Sequence, residues 1–412
     1  MFRRLLTLDQ AKKLIDDLGL VALGSEEVSL REAHGRILAE DIVSSLDIPP
    51  FDRSTVDGYA VKAEDTYGAE ENAPVYLKLA GAVNVGEPPT VGISRGETAE
   101  IVTGAQIPYG ADSVVMIEDT EQKNNIITIL NAVAKNENIM RRGTDIEKGE
   151  TMLLKGQKVG SREMGVIAAT GRAKVRVFLI PSVAVLSTGN EVTEPGRDLP
   201  PGRIYDINAY SLMGAVFESG GKPIHMGIAP DEEAQLRETL EKALSLADVV
   251  VTSAGVSVGP KDMLPQTIDA LGKPGLLFSG IAVKPGKPTT MAIAGRKPVF
   301  SLPGHPASAL LMFHLIAKPV IQKVAGRDST EINTVRAFAG KRMFSAKGRR
   351  TFVMVNIDRD RRDRLVAEPV ETGASGAITT LAKADGYLEI PENLQFIDEN
   401  DEVLVTLLSS PE

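Results

Sequence analysis

From residue 183 to about 323 the chain alternates Val- and Ile-rich runs with amphipathic helical stretches, and this pattern constrains the fold most. The apolar runs SVAVL, PIHMGI, DVVVTS, LLFSGIAV and PVFSL are bounded by Gly, Pro or polar residues. Strands that are apolar on both faces and separated by helices build a parallel sheet covered on both sides. Helices are expected from Asn208 as N-cap through Phe217, ended by Gly220 and Gly221. Others are expected over 232–246, with Leu236, Leu240, Ala243 and Leu244 on one face, near Thr267, and from Pro306. In such sheets, ligands bind beyond the carboxyl ends of the strands.

The flanking sequence reads differently. Between 48 and 156, short runs such as VYLKLAGAV, AEIVTGA, SVVMIEDT and NIITIL are broken by turn residues, which suggests an inserted β-rich module. The last stretch, with VRAFAG, RRTFVMVNID, GYLEIP and EVLVTLL, reads as a small antiparallel barrel or sandwich. The expected division is a mixed stalk of 1–47 with 142–178, an insert of 48–141, an α/β domain of 179–327 and a C-terminal β domain of 328–412. At the start, Leu8, Ala11, Leu14, Ile15 and Leu18 share a helical face, and Thr7 with Gln10 spells a capping box.

Composition narrows the chemistry. The 412 residues contain no cysteine, so no disulfide, thiolate zinc site, iron–sulfur cluster or cysteine nucleophile can form. Four histidines, none in HExxH spacing, leave oxygen ligands, or ligands brought by a substrate, to hold a transition metal. A net charge of −9 removes the general footprint of a nucleic-acid binder. A basic cluster within 341–364 reads as a solvated hairpin. The opening residues lack the apolar core of a signal peptide, and the apolar run at 309–317 spans about half a bilayer. A cytoplasmic, soluble protein without membrane contact is expected.

Four unusual polar loops follow predicted strands: STGNE (187–191), TSAGVSVGPKD (252–262), KPGKP (284–288) and PGHP (303–306). Small residues in the first two expose backbone N–H groups that can cradle phosphate oxygens. Lys284 and Lys287 add point charges for the same anion. Glu191 and Asp262 offer hard oxygens for Mg2+ or another divalent cation, with Asp231 as a third carboxylate. The sum is a site for a phosphorylated, metal-assisted ligand.

These segments resemble those of the molybdopterin molybdenumtransferases of the MoeA type, whose eukaryotic counterpart is the gephyrin E domain. PPFDRSTVDGYAV (49–61), TGAQIPYGADSVVMIE (103–118) and STGNEVTEPGRDLPPGRIYDIN (187–208) are similar to family signatures in the same order. So are TSAGVSVGPKDM, AVKPGKP and LPGHPASALLMF. The resemblance implies a MogA-like α/β domain carrying a β-rich insert and a C-terminal β-barrel. It implies insertion of molybdenum from molybdate into adenylylated molybdopterin with release of AMP. Asp57, Glu191, Asp231 and Asp262 would then be catalytic, with Glu191 and Asp262 holding the cation. Thr103, Asp145, Ser187, Gly189, Ser253, Gly255, Lys284, Lys287 and Ser375 would bind substrate. Pro303, Gly304, His305 and Pro306 would form the molybdate pocket.

The resemblance also implies a homodimer whose insert faces the partner's α/β domain, and contact with the adenylyltransferase that acts one step earlier. This chain departs from the pattern at four places: His305 for Asn, Ala254 for Gly, Asn190 for Asp, and Gly280 for a basic residue. Alternative readings are a molybdopterin adenylyltransferase-like enzyme, because a related α/β domain does that job, or a non-catalytic peptide-binding scaffold like gephyrin.

Overall fold

The structure is a computed structural model that describes residues 5–253, 264–327, 333–370 and 378–408, except the Leu381 side chain. Successive residues of strand Ser182–Thr188 face opposite ways into two apolar clusters. Val183 and Val185 join Leu212, Val216, Phe300 and Phe313, whereas Ala184 and Leu186 join Leu236, Leu240, Ala243 and Ile268. A strand buried on both faces explains why its sequence shows no polar alternation. Its sheet has six strands, ordered Lys222–Ala229, Ser182–Thr188, Val249–Ser253, Lys297–Leu302, Thr290–Ala294 and Pro274–Ser279.

The first three pairings of that sheet are parallel and the last two antiparallel. The all-parallel expectation is therefore corrected at one edge. The run TMAIA, passed over in the sequence, forms strand Thr290–Ala294, and only Gly295 and Arg296 separate it from Lys297–Leu302. A two-residue connection permits only an antiparallel hairpin, and Gly295, at φ +68°, supplies the positive-φ position. The run GIAV is likewise not a strand of this sheet. Val283–Lys284 pairs with Arg350 and Thr351 in the C-terminal region.

The C-terminal strands Thr334–Ala339, Arg350–Arg359, Leu365–Pro369, Gly386–Ile390 and Glu402–Leu407 close into a five-stranded barrel, because Arg350–Arg359 also pairs with Gly386–Ile390. Much of the basic cluster is spent internally. Arg350 reaches Asp9, Glu389 and Glu392, while Arg359 pairs with Asp363 and Arg364 with Asp360.

Segments on either side of the insert pair with each other, Ser25–Ser29 with Lys174–Phe178 and Ile42–Val43 with Thr151–Leu153. Between them, six strands from Gly58–Val61 to Ile126–Ile129 form a separate mixed sheet. The first helix, Leu8–Asp17, has the Thr7–Gln10 capping box, with Gln10 N donating to Thr7 Oγ1 at 3.1 Å. Leu8, Ala11 and Ile15 pack into the α/β core, and Asp9 receives a bidentate Arg350 at 2.9 and 2.8 Å. Leu14, expected on the same apolar face, is 39% exposed. The buried stripe is narrower than the periodicity suggested.

The last helical stretch of the α/β layer runs unbroken over Pro306–Val324. By length and composition it could cross a membrane, yet 72% of its apolar window is buried inside the protein. Residues Phe313–Ala317 form a π turn just before Pro319, whose ring removes one backbone donor and forces the ladder to shift register. His314 lies in that turn, where burial pushes its pKa down to about 4, so it is a neutral packing residue.

Candidate active site

The strand registers bring the four loops of interest to one edge. Thr188 stands beside Ala229, Ser187 beside Ser253, Ser253 beside Leu302, and Ser301 beside Thr290. The turns STGNE and PGHP, the start of the 252–262 loop and the end of KPGKP therefore leave the sheet along one transverse line. KPGKP reaches it by leading into the antiparallel strand Thr290–Ala294. Gly304 is exposed there, Lys287 and Pro306 are half-buried, and Pro303 is buried under the turn, while Lys284, at the far end of KPGKP, is exposed beside the C-terminal barrel, paired with Thr351. His305 is exposed, and its carbonyl accepts from Ala309 N at 2.8 Å, opening the helix.

Side-chain bonds tie these loops together. Ser187 Oγ lies 3.2 Å from Ser253 Oγ and donates to Asp206 Oδ1 at 2.9 Å. The same Asp206 oxygen accepts from Ala209 N at 3.0 Å, in the first turn of helix Asn208–Glu218, whose N-cap is Ile207. Asn208, expected as that cap, is instead its first residue. Its Nδ2 donates to Gly304 O at 2.8 Å and anchors the PGHP turn. The sequence motif carried the needed signal, because an Asp shortly before a helix commonly caps it.

Glu191 is exposed and its carboxylate folds back over Gly189. A Cβ at Gly189 would stand 2.7 Å from Glu191 Oε2, and φ there is +133°. Gly189 thus serves the close approach of a carboxylate to the backbone. Asn190 bonds reciprocally with Asp231, N to Oδ2 and Oδ1 from N, each at 3.3 Å. These bonds hold the Asp231 loop against the Glu191 loop, and an Asp at 190 could make both of them. Gly280 has φ +93°, and a Cβ there would lie 2.6 Å from Leu5 Cδ2. A basic side chain at that position would be strained.

Asp57 and Thr103 meet on the insert. Thr103 donates to Asp57 Oδ1 from its N at 2.7 Å and its Oγ1 at 2.9 Å, and these bonds hold the Asp57 carboxyl below the usual range. Asp145 is exposed at the foot of the insert, where its N donates to Ile48 O at 3.0 Å. Among the described residues, no strand pairing or apolar cluster joins this insert to the α/β sheet. Asp262, Gly255, Ala254 and Ser375 lie outside the described residues.

Beside Ser187 lies a group that sequence reading missed, formed by Glu194, Asp206 and His225. The three belong to separate segments, so no spacing rule points to them.

Comparison with known proteins covers nearly the whole chain. Residues 6–171 match the MoeA N-terminal region (domain I and II), 184–323 a probable molybdopterin binding domain, and 336–408 the MoeA C-terminal region (domain IV). A molybdopterin molybdenumtransferase of Nostoc sp. is 34% identical, over 93% of this chain and 89% of its own. Molybdopterin molybdenumtransferase 2 of Mycobacterium tuberculosis is 33% identical, over 89% of this chain and 91% of its own. Among solved structures, a molybdopterin biosynthesis MoeA protein from Pyrococcus horikoshii superposes with a TM-score of 0.87 at 42% identity, covering 99% of this chain and 100% of that one.

Proposed function

Because this chain belongs to the MoeA family, a transferase family of molybdenum cofactor biosynthesis, we propose that it inserts molybdenum from molybdate into adenylylated molybdopterin and releases AMP. The observation that carries this reading is the convergence of STGNE, KPGKP and PGHP, with Asp231, on one sheet edge. Ser187 and Ser253, buried and bonded to each other and to Asp206, fix the strand ends behind the STGNE turn, which would face the pyrophosphate. Lys284 and Lys287 offset its charge from the facing loop. In the PGHP turn, prolines fix the backbone so that the remaining N–H groups and His305 receive molybdate without ordering cost.

The donor set fits a divalent cation of the Mg2+ kind, since Glu191 and Asp231 present exposed carboxylate oxygens and the chain has no thiolate. Bound by Glu191 and Asp262, such an ion would neutralise phosphate charge. The chain's own part is to align the pyrophosphate against the lysines and hold the oxyanion beside the pterin sulfurs. Molybdenum prefers soft sulfur, and a cysteine-free chain leaves that role to the substrate. A soluble, cytoplasmic setting, and contact with the adenylyltransferase that supplies the substrate, belong to the same reading.

The test is incubation of the protein with adenylylated molybdopterin, Mg2+ and molybdate or tungstate. AMP release that depends on both the cation and the oxyanion is expected. ATP consumption with unadenylylated molybdopterin would favour the adenylyltransferase reading, and absence of turnover a scaffold.

Asp57 and Thr103 form a pair with no described link to the α/β edge of their own chain, which supports a homodimer with composite sites. Asp57→Ala and Asp262→Ala chains, each inactive alone, should regain activity when mixed, because one heterodimer site keeps both residues. Failure to complement, in a sample shown to exchange subunits, would put both residues in one chain's site.

A further inference from the structure

Glu194, Asp206 and His225 each place one ligand atom so that all three lie within 4.8 Å of one another. Glu194 comes from the loop after Val192–Thr193, Asp206 from just beyond Ile204–Tyr205, and His225 from the edge strand Lys222–Ala229. The cluster therefore joins the 189–206 excursion, which carries Glu191, to the sheet beneath it.

The carboxylates are half-spent in a particular way. Asp206 is 4% exposed; its Oδ1 accepts from Ser187 Oγ and Ala209 N, but its Oδ2 is buried without a partner. Glu194 Oε1 accepts from Tyr210 OH at 2.6 Å. The Nε2 of His225 is also buried without a partner, and its ring leans on Tyr210 with centroids 5.7 Å apart. Among the described residues, neither carboxylate has a cationic partner. The hydrogen bond to Glu194 raises the Tyr210 hydroxyl pKa, with burial and the charges of Glu194 and Asp206 adding to it. A buried, unpaired carboxylate oxygen is expensive unless something neutralises it. Each carboxylate has one oxygen held by a hydrogen bond and shares the cluster with the histidine, and such outer bonds are what orient metal ligands.

We propose that Glu194, Asp206 and His225 bind a first-row divalent transition ion of the Zn2+ class, at a site distinct from the Glu191 cation position. One imidazole and two carboxylates suit Zn2+, Mn2+ or Co2+, whereas Mg2+ and Ca2+ favour all-oxygen sets. Tetrahedral ligands about 2.1 Å from an ion stand ~3.4 Å apart, so rotamer adjustments must draw the three atoms together by up to about 1.4 Å on binding. Bound there, the ion staples the excursion that presents Glu191 to the strand at the sheet edge. The proposal does not rest on the substrate reading, because Zn2+ affinity is read without substrate.

Equilibrium dialysis of Zn2+ against the metal-stripped full chain should give one saturable equivalent. Glu194→Gln and His225→Asn should each weaken it by roughly 10²-fold, and Tyr210→Phe, which frees the Glu194 carboxylate to turn away, by roughly 10-fold. Glu191→Gln should leave it unchanged. In the wild type, Zn2+ should shift the ring resonances of His225 ahead of those of His34, His305 and His314, a readout that requires no variant to fold. Wild-type Zn2+ affinity in both Glu194→Gln and His225→Asn overturns the proposal. So does a His225 resonance that Zn2+ leaves in place.

Discussion

Glu191→Gln is expected to lower AMP release roughly 10²-fold, about 2.7 kcal/mol of transition-state stabilisation, with Asp262→Asn doing the same. The Glu191 side chain is exposed at the sheet edge and curls over a glycine that admits it, so its carboxylate lies close against the backbone of the STGNE turn. Gln keeps the length and shape and one acceptor, so the packing over Gly189 is retained and only the charge is lost. If that charge holds a cation against the substrate phosphates, raising Mg2+ should partly restore the Gln variant while leaving molybdate affinity unchanged. A variant that releases AMP at the wild-type rate would remove Glu191 from the mechanism.

Legibility followed the range of the interactions. The Thr7–Gln10 capping box was readable because its partners sit three residues apart on one turn. The doubly covered strands were readable because burial on both faces leaves a continuous apolar run, as in Val183–Leu186. TMAIA was missed because a five-residue run rich in Ala looks like a turn of helix until its hairpin partner is known. Likewise, the two antiparallel pairings follow from Gly295, whose positive φ no composition argument reveals.

The site shows the same division. STGNE and PGHP were legible because chain direction carries the ends of parallel strands to one edge, whereas KPGKP reaches it only through the antiparallel strand that follows it. Asp206 was only half legible, because its place before a helix start is written in the motif whereas its bond to Ser187 is met only after folding. His225 reads in sequence as an ordinary strand residue within PIHMGI. What singles it out is a ring nitrogen within 4.8 Å of two carboxylates, and that arises from a crossing of three segments.

Gly58→Ala should destabilise the inserted sheet by about 3 kcal/mol, and AMP release should fall with it. Gly58 follows Asp57 in the DGYA run and opens strand Gly58–Val61, which pairs with Ile101 on one side and Met116 on the other. Its φ is not positive, so conformational freedom does not explain the glycine. Space does, because an added Cβ would overlap the carbonyl oxygen of Val115 and stand 2.9 Å from its carbon. Overpacking a well-fitted interior costs roughly 1–3 kcal/mol, and the upper end applies here because backbone cannot rotate out of the way. Relief requires the strand Ser113–Met116 to move outward, and Ile117 N, which donates to Asp57 O at 3.0 Å, moves with it. The Asp57–Thr103 pair is then pulled off its position, so activity falls even in molecules that remain folded. Urea unfolding followed alongside AMP release measures both effects. An unchanged midpoint with wild-type turnover would mean that the sheet absorbs the methyl group, and that the glycine beside Asp57 is required by neither packing nor chemistry.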